Sequence, residues 1–290
     1  MTDQPTTVTI GSGRLRATVS SLGAEMQALS FDGVPLLWHG DAAFWGGRSP
    51  VLFPIVGRAE GDVIAVAGRR AAMAQHGFAR RSGFRLIAAE EGACCHELCA
   101  DEASRAVYPF DFRLRLSHAI EGTVLRVRAE VENLSDGVMP FGLGFHPAFL
   151  WPLPGCAGQG HRIVLDNGAE PVVARLSGGL LTDARGPSPF TDGALVLNPA
   201  MFAEDAMIFP EGAGEGLTYR AESGPGLRFR FENLPNLALW SKPGAPFVCI
   251  EPWHGMAARK GAGPEIAARP FSVLLPPGEG RAFGFSVEIV

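Results

Sequence analysis

The chain has 290 residues, 47% of them hydrophobic and 19% charged, with a formal net charge of −5. That balance belongs to a folded protein with a sizeable core, and it gives no reason to expect nucleic acid or an anionic membrane as a partner. The 37 glycines and 23 prolines are dispersed, which suits many short strands joined by turns.

The opening MTDQPTTVTIGSGRL lacks a basic region followed by an apolar one, so no secretory signal is expected. No later stretch approaches the length of a membrane-spanning helix. Phe53-Pro54-Ile55-Val56-Gly57-Arg58 is an apolar segment ending in a guanidinium, a fork of donors for hydroxyls, carboxylates or phosphates. The alanine-rich stretch from Ala65 to Ala74 comes nearest to a helix, but Gly68 with Arg69-Arg70 interrupts it. Gln75-His76-Gly77-Phe78-Ala79-Arg80 sets an imidazole and a guanidinium around a glycine, and a solvated turn explains it equally well. Cys94-Cys95-His96-Glu97-Leu98-Cys99 invites a metal reading. Adjacent cysteines in a strand point to opposite faces, however, and no second cluster supplies matching ligands, so ordinary strand residues and no metal are expected. Five cysteines without framework spacing suit free thiols in a reducing compartment, and the expected location is the cytoplasm.

Period-two alternation takes over from Phe112. Phe112, Leu114 and Leu116 alternate with Arg113 and Arg115; Glu121-Gly122-Thr123 reads as a turn, and Leu125, Val127, Ala129 and Val131 alternate with charged residues. This predicts a hairpin with one buried and one solvated face. Pro152 to Gly160 and Gly178 to Gly193 read as long surface loops. Leu227 to Glu232 and Phe283 to Ile289 alternate again, the latter as a closing strand. Many antiparallel strands with few helices imply an all-β sandwich or barrel. Neither a linker nor a repeat divides the chain, so one domain over 1–290 is expected.

Two segments carry the clearest chemistry. Glu251 ends the apolar run from Ala245 to Ile250 and precedes Pro252-Trp253-His254-Gly255. A carboxylate beside apolar surface loses hydration, its proton affinity rises, and it can serve as an acid or base near neutrality. In a strand, Phe247, Cys249 and Glu251 would share one face. Ion pairing with an arginine at a strand end is the bland alternative. His146 stands in the matching setting Gly142-Leu143-Gly144-Phe145-His146-Pro147, where the glycines leave room for a ligand; a core histidine bonded to a backbone carbonyl is its alternative. Acids Glu204 and Asp205 sit between apolar runs at Phe202–Phe209, as at any surface strand end. Trp240 and Trp253 are candidates for stacking on a sugar, although core packing is the commoner use. No phosphate loop, nucleophile elbow or zinc-binding helix motif is present.

Taken in order, Phe53–Arg58, His76–Arg80, Tyr108-Pro109-Phe110-Asp111-Phe112, Met139–Phe149, Cys249-Ile250-Glu251-Pro252-Trp253 and Leu275–Glu279 resemble the aldose 1-epimerase (galactose mutarotase-like) family, and within it the LacX-like bacterial branch. The resemblance implies a large antiparallel β-sandwich of the galactose mutarotase type and cofactor-free interconversion of the α and β anomers of an aldose. It implies Glu251 as general base and His146 as general acid, with His76, Arg58 and Asp205 holding the sugar. Arg80 is a further substrate-binding candidate, the partner is a small-molecule sugar, and no metal is called for. Hexose-6-phosphate 1-epimerases share the sandwich and the histidine and glutamate roles, and Arg58, Arg80 and Arg81 could serve a phosphate. A silent carbohydrate-binding sandwich and a two-carboxylate glycosidase using Asp205 complete the alternatives.

Overall fold

The computed structural model describes residues 4–290. Two antiparallel sheets carry the fold. The first runs, in spatial order, Ala194–Val196, His161–Leu165, Gly216–Ala221, Gly226–Glu232, Gly280–Ile289, Val124–Asn133, Phe112–Glu121, Ala93–Cys99 and Arg85–Ala89. The second runs Leu180–Gly186, Val173–Ser177, Met207–Phe209, Asn236–Trp240, Phe247–His254, Leu143–Phe145 and Val51–Leu52, with Ala148–Leu150 also pairing Phe247–His254. A smaller sheet at the start of the chain spans Thr7–Ser12 to Val34–Pro35. Among the described residues, no helix is long and apolar enough to cross a membrane.

The sandwich forms because each sheet turns one apolar face to the other. Phe112, Leu114 and Leu116 are buried, and their strand pairs with Val124–Asn133 from Phe112↔Asn133 to Glu121↔Val124, the hairpin expected from alternation. Leu143, Phe145, Val248 and Ile250 of the second sheet join the same cluster. Phe145 meets Phe285 at 5.0 Å between ring centres, and Phe149 meets Phe229 at 5.1 Å, so aromatic rings span the gap between sheets. Burying these side chains stabilises by about 1.5–3 kcal/mol each relative to exposure.

Three segments refine the sequence reading. Ala65 to Ala74 is no helix: Val63–Val66 and Arg69–Ala72 form a hairpin, turned by Ala67 and Gly68 at φ 49° and 73°. Gly178 to Gly193 is only partly loop, because Leu180–Gly186 is the edge strand of the second sheet. Gly178 and Gly179, at φ 61° and 81°, make a tight turn back to Val173–Ser177, and two positive φ angles in succession suit glycine. In the Cys94–Cys99 segment Cys94 and His96 face inward, while Glu97 pairs with Arg85 at 2.7 Å and Arg115 at 3.1 Å. The segment is a strand, as expected, and its Glu97 belongs to a charge network that the sequence reading did not foresee.

Candidate active site

The strand Phe247–His254 is buried on both faces until its last residue, and the two faces do different things. Val248 and Ile250 enter the core between the sheets. Phe247 and Cys249 pack with Trp38 and Ala148 on the opposite face, and Trp253 packs there with Leu52, Val56 and Ala238. Glu251 shares this outer face by the two-residue period.

His146 reaches the same face through the register of its own segment. Gly144 pairs with Trp253 and Ala148 pairs with Cys249, so the chain between them runs in one continuous register that sets His146 opposite Glu251. Pro147 and Pro252 each lack the N–H of a regular ladder, which interrupts the strand there without shifting its register. The result is a cross-strand pair, His146 Nε2 to Glu251 Oε2, at 3.1 Å, with both side chains buried. Gly144 allows the approach beside it: a Cβ at that position would stand 2.4 Å from the Trp253 ring.

Burial disfavours charge on both partners. It pushes the Glu251 carboxyl well above the usual range, with the charge of Asp205 adding to the effect, and pulls the His146 imidazole far below its ordinary value. Attraction between opposite charges at 3.1 Å offsets part of both penalties. Imidazolium with carboxylate, or imidazole with carboxylic acid, the pair holds one proton and no net charge.

A cavity of about 310 Å³ opens over this pair, lined by Glu251, His146, His76, Arg80 and Asp205 together with three tryptophans. His76 accepts the Gly57 N–H at Nδ1, 3.1 Å away, which leaves Nε2 as the protonated nitrogen of the neutral ring. Burial holds that ring neutral, with neighbouring His146 and Arg80 opposing charge further. His76 sits at φ +67° and Asp205 at φ +68°, costly backbone for residues with a Cβ. Arg175 braces the Asp205 loop by donating to the Asp205 and Met201 carbonyls, each at 3.1 Å.

Arg58 is placed differently from the other five candidates. Its guanidinium is spent on a two-pronged bond to Asp62, at 2.8 and 2.7 Å, and it does not line the cavity; its neighbour Gly57 does. Arg80 lines it instead, donates to the Gln75 carbonyl at 3.0 Å, and is lowered to about 10 by burial.

Trp45 and Gln75 also line the cavity and were not candidates from sequence. The Trp45 ring lies 4.8 Å from that of His146 at an interplanar angle of 30°, and Trp240 meets the same imidazole edge-on at 5.7 Å. Trp45 is held from behind: its carbonyl accepts Trp38 Nε1 at 2.9 Å, and the preceding Phe44 carbonyl accepts Lys242 Nζ at 2.7 Å. Phe44-Trp45-Gly46-Gly47 was the only sequence hint, an aromatic pair in a glycine turn. Around the cavity, Arg80 Nε, His146 Nδ1 and Trp253 Nε1 are buried without a partner among the described residues. Two of the three are obligate donors, so the site suits a ligand rich in acceptor oxygens.

Known proteins share this arrangement of chain. Residues 6–258 match the family model described as aldose 1-epimerase. The plasmid-borne protein LacX of Lactococcus lactis subsp. lactis is 28% identical over 265 residues, 87% of this chain and 88% of its own length. A galactose mutarotase related enzyme from Lactobacillus acidophilus superposes with a TM-score of 0.91 at 28% identity, covering 98% of this chain and 97% of its own. A galactose 1-epimerase from Lactobacillus acidophilus NCFM, 11% identical, shares the fold at a TM-score of 0.72 over 100% of this chain and 96% of its own. The all-β architecture is thus the large antiparallel sandwich of the galactose mutarotase type.

Proposed function

We propose, from the premise that the chain belongs to the aldose 1-epimerase family, that it interconverts the α and β anomers of a free aldohexose by acid–base ring opening and reclosure. The observation that carries this reading is the buried cross-strand pair of His146 and Glu251, 3.1 Å apart. Mutarotation needs one proton taken from the C1 hydroxyl and one given to the ring oxygen. The anomeric edge of a sugar carries both oxygens side by side, so it can replace the direct contact between the two residues. Glu251 as carboxylate takes the C1 hydroxyl proton while His146 as imidazolium protonates the ring oxygen, and the C1–O5 bond breaks to leave the aldehyde. Rotation about C1–C2 and the reverse transfers close the ring on the other carbonyl face. The transfer leaves a neutral pair, the form that burial favours. Each placed proton transfer contributes roughly 10²- to 10⁴-fold.

His76, Arg80 and Asp205 then hold the hydroxyls, and Trp45, Trp240 and Trp253 offer flat faces to the apolar side of the sugar. The unphosphorylated substrate is favoured because the lining has one guanidinium, Arg80, against two carboxyl groups, while Arg58 is neutralised by Asp62. A 6-phosphate would bring its charge to a cavity with little to meet it. The same reading takes residues 1–290 as one domain acting in the cytoplasm, where the five free cysteines stay reduced.

Polarimetry tests the proposal. Wild-type protein accelerates mutarotation of α-glucose or α-galactose over the buffer rate and does less for glucose 6-phosphate. Glu251→Gln loses about two to four orders of magnitude in kcat while keeping its circular dichroism spectrum. Normal turnover by that variant would remove Glu251 as the base, and sugar binding without any acceleration by the wild type would favour a silent binding protein.

A further inference from the structure

The proposed proton transfers leave one neighbouring thiol unused. Cys249 stands two residues before Glu251 on the same strand face, opposite Ala148, with no solvent exposure. A His146 ring nitrogen, Cys249 Sγ and a Glu251 carboxylate oxygen all lie within 4.8 Å of one another. We propose that these three side chains form a site for a thiophilic divalent cation of the Zn²⁺ class, and that the occupied site excludes sugar.

The donor set argues for the class of ion. One imidazole nitrogen, one thiolate and one carboxylate match the mixed ligands of zinc, whereas magnesium and calcium require oxygen. Bond lengths of 2.0–2.3 Å to a tetrahedral ion place its ligand atoms roughly 3.3–3.8 Å apart. His146 and Glu251 already stand at 3.1 Å, and the whole set, within 4.8 Å, closes on an ion by side-chain movements of about 1 Å. Three protein ligands leave a fourth position. It faces the cavity, because His146 and Glu251 line the cavity wall while Cys249 packs behind them against Trp38 and Phe247. The cavity is also the path by which an ion arrives.

Charge balance favours binding in so buried a place. Coordination needs the thiolate, the carboxylate and a neutral imidazole, so the dication displaces the thiol proton and the one proton of the His146–Glu251 pair to solvent. Two positive charges enter and two leave. The site is neutral before and after, which avoids the cost of burying net charge.

The coordination claim stands without the epimerase reading; the claim that sugar is excluded rests on it. Cadmium is the optical probe for the first, through the ultraviolet charge-transfer band of a cadmium–thiolate bond. Titrating the full chain is expected to raise that band to one equivalent above the level reached by Cys249→Ala, which keeps the other four cysteines. Glu251→Gln, which retains the thiol, is expected to bind at least roughly tenfold more weakly, the least that loss of a supporting group costs at metal sites. Zinc is expected to suppress mutarotation by the wild type and to spare Cys249→Ala. Equal cadmium bands in wild type and Cys249→Ala, or unweakened binding by Glu251→Gln, would overturn the site. Equal zinc inhibition of wild type and Cys249→Ala would overturn the exclusion of sugar through it. If the metal-free wild type has no mutarotase activity, the proposed function fails and the cadmium titration still decides the site.

Discussion

At the scale of single residues, the partner already bound to a side chain decides whether a ligand can use it. Arg58 and Arg80 carry the same guanidinium, yet Asp62 pairs with the first through two bonds and the second keeps a buried Nε–H without a partner among the described residues. Replacing Arg80 by alanine is therefore expected to raise KM roughly tenfold to a hundredfold, the equivalent of one hydrogen bond from a charged donor. Arg58→Ala is expected to leave KM near the wild-type value, since the cavity lining lies beyond it. Steady-state kinetics on one preparation of each variant decides between them, and a greater loss in Arg58→Ala would mean that the substrate extends past the cavity. His76 follows a related logic. The Gly57 N–H fills its Nδ1, so its remaining proton is directed to Nε2, and the cost of its positive φ is offset by what that placement holds.

At the scale of elements, the site depends on a register that two prolines conceal. Gly144↔Trp253 and Ala148↔Cys249 belong to one alignment, and a slip of one residue would turn His146 away from Glu251 to the other face of the sheet. Gly144→Ala probes this arrangement, because the new Cβ would meet Trp253 Cδ1 at 2.4 Å. Displacing that ring is expected to cost about 1–3 kcal/mol, the usual range for overpacking, and to lower activity as the cavity wall moves. A urea titration with near-ultraviolet circular dichroism reads both the stability and the tryptophan environment; wild-type values in both would show that the wall yields freely. The sequence was legible where alternation ran long, as in Phe112–Glu121, Val124–Asn133 and Gly280–Ile289. It was legible for the apolar settings of His146 and Glu251, both of which are buried. It was silent on their pairing, since register between distant strands is decided by the whole sheet and not by local pattern. The Leu180–Gly186 strand was missed because an edge strand is mostly exposed and lacks a clean apolar stripe. Trp45 was missed because a loop side chain reaches a site only through the fold that anchors it, here Trp38 and Lys242.

At the scale of the molecule, buried histidines shape the response to acid. His96 and His118 lie on the inward face of neighbouring strands in the first sheet, with His118 opposite Cys94, and both have a buried Nδ1 without a partner among the described residues. Burial lowers both, and beside His96 it takes His118 to about 3. A group lowered in the folded state binds its proton first in the unfolded chain. Its contribution is therefore complete above the unfolded value near 6.5 and is lost as pH falls toward the folded value. Each such histidine removes up to about 1.4 kcal/mol per pH unit in that window. The acid slope below pH 6.5 thus reports the buried histidines, His76 among them. His118→Leu is expected to flatten the dependence of unfolding free energy on pH by about one proton, retaining roughly 2–3 kcal/mol at pH 4.5 that the wild type has lost. Urea midpoints measured from pH 7 down to 4.5 give the slope directly, and a variant whose slope equals that of the wild type would exclude His118 as a source of acid lability.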